Sequence, residues 1–463
     1  MRFSVFLYYG VIILFVQFAA HGANASEGPW RLQAASGLPE WLTLGGTHRV
    51  RYETLNRQFR VTPNGSDQIL VVRTTVAAGL HRGPFTIAGE LMDSRAEFDD
   101  AGTPINTGIV NTADLLQGYL QWRGEPSYAP GSRFDVRIGR ITMDVGSRRF
   151  VARNRYRNTI NAFTGIDTQW RGASGRQLRA FFALPVNRKP NRAAELREND
   201  VEFDEEDSEV KFWGLYFSDR FSWGDRGEIF YFGIDEDDSS GRPTRNRELT
   251  TLGLRLYRNP ELSRFDYQVE AAVQFGESRS SVLATNVTAL DHFAHFEHVE
   301  LGYSFDRAWR PRLIAQYDHA SGDRSPADGD RERFDTLYGA RRFDFGPTGI
   351  YGPFARANIK TPGLRMQLEP GPRTTAFVAY RGFWLASDRD AWTTARVWDP
   401  SGNASSFVGQ QVEARVRWTV RPSNVRIEAG MAHLFSGAFT DDAPNATGRG
   451  DVTYFYSQIA FWF

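Results

Sequence analysis

Cysteine is absent from the chain, which excludes a disulfide framework, a thiolate metal site and a cysteine nucleophile. Lysine is nearly absent as well, with Lys189, Lys211 and Lys360 standing alone among 55 basic residues. The positive charge is therefore almost all guanidinium, which keeps its proton at physiological pH and grips carboxylates in a bidentate fork. A GC-rich genome would give the same bias without a functional cause, and the two explanations are compatible. Net charge is missing too, because 55 acidic residues balance the 55 basic ones. That balance argues against a nucleic-acid binder, which carries a basic excess.

Long apolar runs are confined to the start. Arg2 precedes an almost unbroken apolar stretch over residues 5–20, and Ala23-Asn24-Ala25 places small residues where a signal peptidase reads them. These features predict a cleaved signal peptide over 1–25, with Ser26 as the new N-terminus. The stretch is short for a membrane span, and polar His21 and Asn24 follow it. A short periplasmic segment is expected over 26–40 and one domain over 41–463. An exported chain with no further apolar run enters a membrane only with strands.

What the chain does have is aromatics (14%) and 43 glycines, residues that favour pleated surfaces and tight turns. From Trp41 onward it repeats stretches of about ten alternating residues. Phe265, Tyr267, Val269, Ala271, Val273 and Phe275 share one face, and Asp266, Gln268, Glu270 and Gln274 the other. Leu252, Leu254 and Leu256 oppose Thr251, Gly253 and Arg255; Val412, Ala414, Val416 and Trp418 oppose Glu413, Arg415 and Arg417. A soluble sandwich would bury the apolar face, whereas a membrane barrel turns it to lipid. Period alone does not separate these. Export, spans of about ten residues and alternating short and long connections favour the barrel.

Short connections fall at 81–84, 173–175, 258–263, 306–311, 369–373 and 421–424, between long polar stretches such as 187–209, 278–291, 322–335, 387–405 and 437–450. The pattern predicts an all-β fold: a single transmembrane antiparallel barrel of 18 strands, with 16 the alternative. Both termini belong on the short-turn, periplasmic side, and the long loops are extracellular. The final stretch puts Phe455, Ile459, Phe461 and Phe463 on one face, a pattern resembling the signal that bacterial assembly machinery reads. Such a barrel closes its own edges, so a monomer surrounded by outer-membrane lipid and lipopolysaccharide is expected.

Arg148, Arg149, Arg153, Arg155 and Arg157 crowd into one inferred extracellular loop. They line the pore and bind anions, or they form a solvated loop that meets lipopolysaccharide phosphates. Arg137, Arg140, Arg255, Arg415 and Arg417 are assigned to polar strand faces and hence to the lumen, where Glu270, Glu413 and Glu428 are available to pair with them. Rings of arginine in a narrow pore select anions.

The segment 136–170 carries Val136-Arg137-Ile138-Gly139-Arg140, Asp144-Val145-Gly146-Ser147-Arg148-Arg149-Phe150, Arg155-Tyr156-Arg157-Asn158-Thr159 and Phe163-Thr164-Gly165-Ile166. Together with Phe334-Asp335-Thr336-Leu337-Tyr338-Gly339, Gly349 and Asn358, it resembles the alginate-export family of outer-membrane barrels. The sequence departs from that pattern at Ile141, where Gln is expected, and at Thr164, where Asp is expected. The resemblance implies an 18-stranded barrel with an arginine-rich constriction that guides a polyuronate outward; if the barrel exports polymer, periplasmic scaffold proteins are expected partners.

Other chemistry finds little footing. Asp318 and His319 are adjacent, so on a strand they point to opposite faces and do not form a catalytic pair. The acidic run 202–209 lacks the spacing of an EF-hand loop. His295 and His298 lie close in sequence but without a third ligand. Three function classes stand: a channel for anionic polysaccharide, a general or small-anion porin, and an outer-membrane hydrolase for which no triad is found. The stretch 322–358, the longest connection, is the expected gate.

Overall fold

The computed structural model describes residues 29–463 except 62–64, 128, 240, 284 and 447–449; the expected signal peptide over 1–25 lies outside the described residues. Eighteen strands form the wall: β1 (Leu42–Asn56), β2 (Ser66–Arg82), β3 (Phe85–Glu97), β4 (Asn111–Gly124), β5 (Arg133–Ile141), β6 (Phe163–Arg171), β7 (Gln177–Pro185), β8 (Val210–Arg220) and β9 (Arg226–Glu236). They continue as β10 (Glu248–Arg258), β11 (Phe265–Ser278), β12 (Leu290–Ser304), β13 (Arg312–Ala320), β14 (Ile359–Gly371), β15 (Thr374–Trp384), β16 (Phe407–Arg421), β17 (Val425–Ser436) and β18 (Val452–Trp462). Each strand pairs antiparallel with the next, and β1 pairs with β18 from Thr47↔Trp462 to Asn56↔Thr453, which closes the barrel. One extra two-residue strand, Asp330–Arg331, lies parallel to β12. Among the described residues, four helices of four to six residues, α1 (Leu32–Ala35), α2 (Ala193–Glu198), α3 (Arg342–Phe345) and α4 (Phe439–Asp442), sit outside the wall's strands. No described helix is long and apolar enough to cross a membrane.

The direction of the two strand faces decides between sandwich and barrel. Leu252, Leu254, Val269, Val273, Phe275, Val416 and Trp418 are exposed, while Thr251, Asp266, Glu270, Gln274 and Glu413 are buried. These strand faces are therefore apolar toward the outside and polar toward the inside, as a lipid-facing wall requires. The short connections 83–84, 172–176 and 372–373 lie at one end, together with the start of β1 and the end of β18; the long ones lie at the other. Two short turns, 125–132 and 221–225, complete that alternation.

The apolar core sits inside the barrel, between the wall and connections folded into the lumen. Phe150 on connection 142–162 packs against Phe230 of β9, Phe296 of β12 and Phe334 of connection 321–358. These two connections meet at a parallel bridge, Val151↔Tyr338, and the Ala340 amide donates to the Arg148 carbonyl. The stretch expected as a gate is thus inserted into the lumen.

Candidate pore and anion site

Several of the residues that carry the family resemblance help pin the inserted connections. Asn158 donates to the carbonyls of Val72, Arg95 and Ile109, tying connection 142–162 to the wall. Arg49 and Arg51 on β1 donate to the carbonyls of Arg155, Tyr156 and Arg157. Gly339 lies against the Arg149 carbonyl with no room for a β-carbon, and Gly349 (φ +87°) turns beneath the Glu53 carboxylate. A residue with a side chain would be strained in that left-handed backbone and would strike Glu53. Asp335 bonds Arg247 at 3.0 Å and Arg245 at 2.8 Å, and the Asn358 side chain donates to the carbonyls of Ser387 and Ala391.

At the centre of this plug the charges are satisfied internally. Arg149, almost fully buried, bonds Glu270 of β11 at 2.6 Å, Asp344 of α3 at 2.9 Å and His298 of β12 at 3.0 Å. Asp344 also takes Arg356, while Asp318 of β13 takes His298 at 2.7 Å and Arg381 at 2.5 Å. Burial works to raise the Asp344 pKa, yet Arg149 and Arg356 hold it well below the usual carboxylate range. Asp318 faces inward and His319 outward, as strand alternation requires.

Below the plug, toward the short turns, lies a cavity of about 640 Å³ lined by nine arginines and three carboxylates. Arg137 lines it and pairs with Asp167 at 2.5 Å; Arg153 bonds Glu90 at 2.7 Å; Arg155, largely exposed, bonds Asp144 at 2.7 Å. Arg255 reaches Glu228 at 3.1 Å and lies only 3.9 Å from Glu270, the expected partner. Arg417 pairs with Glu428 at 2.6 Å as expected, whereas Glu413 is taken by Arg342 at 2.6 Å. Arg415 has no carboxylate partner among the described residues and stacks over Phe377 at 4.6 Å. Arg148 likewise lies over the Phe343 ring, at 5.2 Å.

Arg140 departs from expectation. The sequence expectation places it in the lumen with Arg137, but residues three apart on a regular strand point to opposite faces. Asp135 and Arg137 point inward; Ile138 is exposed and Arg140 follows it on the outer face at the extracellular end of β5. Its guanidinium bonds Glu206 at 2.8 Å, Asp114 at 3.3 Å and the Leu115 carbonyl at 2.9 Å, so it anchors connection 186–209. The acidic run is accordingly engaged, with Glu206 also accepting from Thr164.

Above the plug, among the long connections, a cavity of about 520 Å³ is lined by Arg60, Arg157, Arg188, Arg341 and Arg396 and by no acidic residue. None of the five has a carboxylate partner among the described residues. Arg60 donates to the Ile350 carbonyl, Arg188 to the Thr107 carbonyl and Arg341 to the Phe354 carbonyl. Burial, and then repulsion from Arg188 and Arg341, pushes the Arg157 pKa down to about 9; burial and then Arg60 and Arg356 push Arg341 to about 10. Such a group of desolvated like charges is what a bound anion relieves. Of the five, sequence reasoning identified Arg157 alone.

A closed barrel of 18 strands, lipid-facing outside and plugged by its own loops, defines an outer-membrane channel. The chain belongs to the alginate-export family, whose sequence profile matches residues 40–452. No curated protein sequence is similar enough to count as a relative. Among solved structures, the Pseudomonas aeruginosa OpdK–vanillate complex is 11% identical with a TM-score of 0.56, covering 91% of this chain and 98% of its own. A BenF-like porin from Pseudomonas fluorescens Pf-5 (12% identical, TM-score 0.57) covers 91% and 98%, and Acinetobacter baumannii OccAB3 (10% identical, TM-score 0.58) covers 91% and 99%. At these identities the likeness is one of fold.

Proposed function

We propose that this channel passes an anionic polysaccharide of the polyuronate class, moving from the arginine-lined periplasmic cavity to the five-arginine mouth. The observation that supports the reading is the mouth itself, where five guanidiniums face one cavity that holds no carboxylate. A polymer with a charge on each unit crosses many weak sites in turn, so a divided series of arginines suits it better than one tight site. On this reading the protein is a channel and not an enzyme, and it works as a monomer in outer-membrane lipid and lipopolysaccharide. Export uses cleavage of residues 1–25, and a periplasmic scaffold meets the short-turn end.

A second reading, a porin for small anionic solutes, is favoured by the plug: cavities of about 640 and 520 Å³ lie on either side of it, a size that encloses a small ligand. One of the structures with this fold holds vanillate, a small carboxylate. The two readings separate in a planar bilayer. Polyuronate oligomers that block or slow the chloride current support the polymer channel. Steady current that ignores the oligomers but carries small carboxylates supports the porin.

A further inference from the structure

The outer wall carries a polar island inside its apolar band. His295 and Glu297 point outward from β12, and His319 points outward from β13 in register with Glu297. The two Glu297 carboxylate oxygens lie 2.8 Å from His295 Nδ1 and 2.7 Å from His319 Nδ1, and the imidazole rings are 5.1 Å apart. Phe293 and Val299 on the same face of β12, Val273 beside His295 on β11, and Tyr317 on β13 surround the island, and all four are exposed. Ionisable groups on a lipid-facing wall are costly near the midplane and tolerated toward the interfaces, and they persist where something compensates them. These three lie toward the extracellular ends of their strands.

We propose that His295, Glu297 and His319 form a binding site for a divalent transition-metal ion of the zinc type on the outer wall of the barrel. Two imidazoles and one carboxylate are a ligand set that zinc accepts, and it leaves a fourth tetrahedral position open. The ligand atoms lie within 4.8 Å of one another, so side-chain rotation brings them to bonding distance once the ion displaces the two imidazole–carboxylate contacts. The open position faces the outer leaflet, where a water or a phosphate oxygen completes the shell. Calcium and magnesium, which take oxygen ligands, do not fit two imidazoles.

A comparison inside the molecule sharpens the choice. His298, Asp318 and Asp344 also bring their ligand atoms together, but Arg149, Arg356 and Arg381 already occupy those carboxylates. Three guanidiniums leave no place for a cation. Among the described residues no arginine bonds the outer group; Lys360 of β14 is in register with His319.

The test is calorimetric titration of the folded full chain, free of any polyhistidine tag, with Zn²⁺ in detergent. The proposal expects one ion per chain, with affinity lowered about tenfold or more by His295→Ala, His319→Ala and the shape-conserving Glu297→Gln. His433→Ala, distant in the fold, should leave binding unchanged. Heat-dependent gel mobility reports that each variant still forms a barrel. Absence of binding by the unaltered chain, or binding that all three folded variants retain in full, overturns the site.

Discussion

Arg149 and Arg157 belong to one inserted connection yet have opposite surroundings. Arg149 is enclosed by Glu270, Asp344 and His298, so it holds the plug together and is not free to meet a solute. Replacing it by alanine removes the guanidinium shared by two buried carboxylates, leaving Asp344 with Arg356 and Glu270 with Ser147, a loss of about 3–5 kcal/mol. Arg149→Ala should therefore loosen the plug, seen as a higher and noisier single-channel conductance; an unchanged, quiet channel would contradict this role. Arg157 faces the mouth without a carboxylate. Arg157→Glu should lower anion selectivity while leaving barrel stability unaltered, as a reversal potential and a thermal melt together report. The sequence places both arginines in one cluster, and only the fold of the loop separates them.

Strands were the legible elements and loops were not. Alternation alone marks Phe265 to Phe275 as a strand with Asp266, Glu270 and Gln274 on one face, because a period of two survives any tertiary setting. The same rule, strictly applied, also separates Arg140 from Arg137. No local period shows that 142–162 and 321–358 turn inward, since their contacts join residues far apart, such as Val151 and Tyr338. Arg60, Arg188, Arg341 and Arg396 come from four different connections, and His295 finds His319 only through the β12–β13 register. Two predictions belong at this scale. A lipid-facing charge such as Leu254→Arg should destabilise β10 in the membrane by about 2–4 kcal/mol if it lies near the midplane, measured by denaturant unfolding in liposomes. The plug should also resist acid. A depressed carboxylate contributes stability that is present above its unfolded pKa and is lost only as pH falls through the lower folded value. Asp344 is so depressed, and conductance should be the same at about pH 5 as at about pH 7. A rise in conductance over that range would show that the Asp344 network does not hold the plug.

At the scale of the whole molecule, a chain with no net charge is electrically divided. Apolar side chains face lipid, mostly paired charges fill the wall and plug, and five guanidiniums without a carboxylate partner collect where the long connections meet. On the proposed function, a low-dielectric channel focuses the field of such groups, and the five arginines at the mouth, not the neutral total, set its selectivity. The barrel, its strand count and its family were readable in the sequence, because closure and alternation are properties of the entire chain. The division of arginines into those held by carboxylates and those without one was not, because it depends on which loops enter the lumen.

The most direct measurement is the reversal potential of the folded channel in a planar bilayer under a salt gradient, for the unaltered chain and for a variant with Arg60, Arg157, Arg188, Arg341 and Arg396 replaced by glutamine. The five-arginine mouth predicts an anion-selective potential that moves toward zero in the variant. Cation selectivity, or anion selectivity that survives all five replacements, would contradict it.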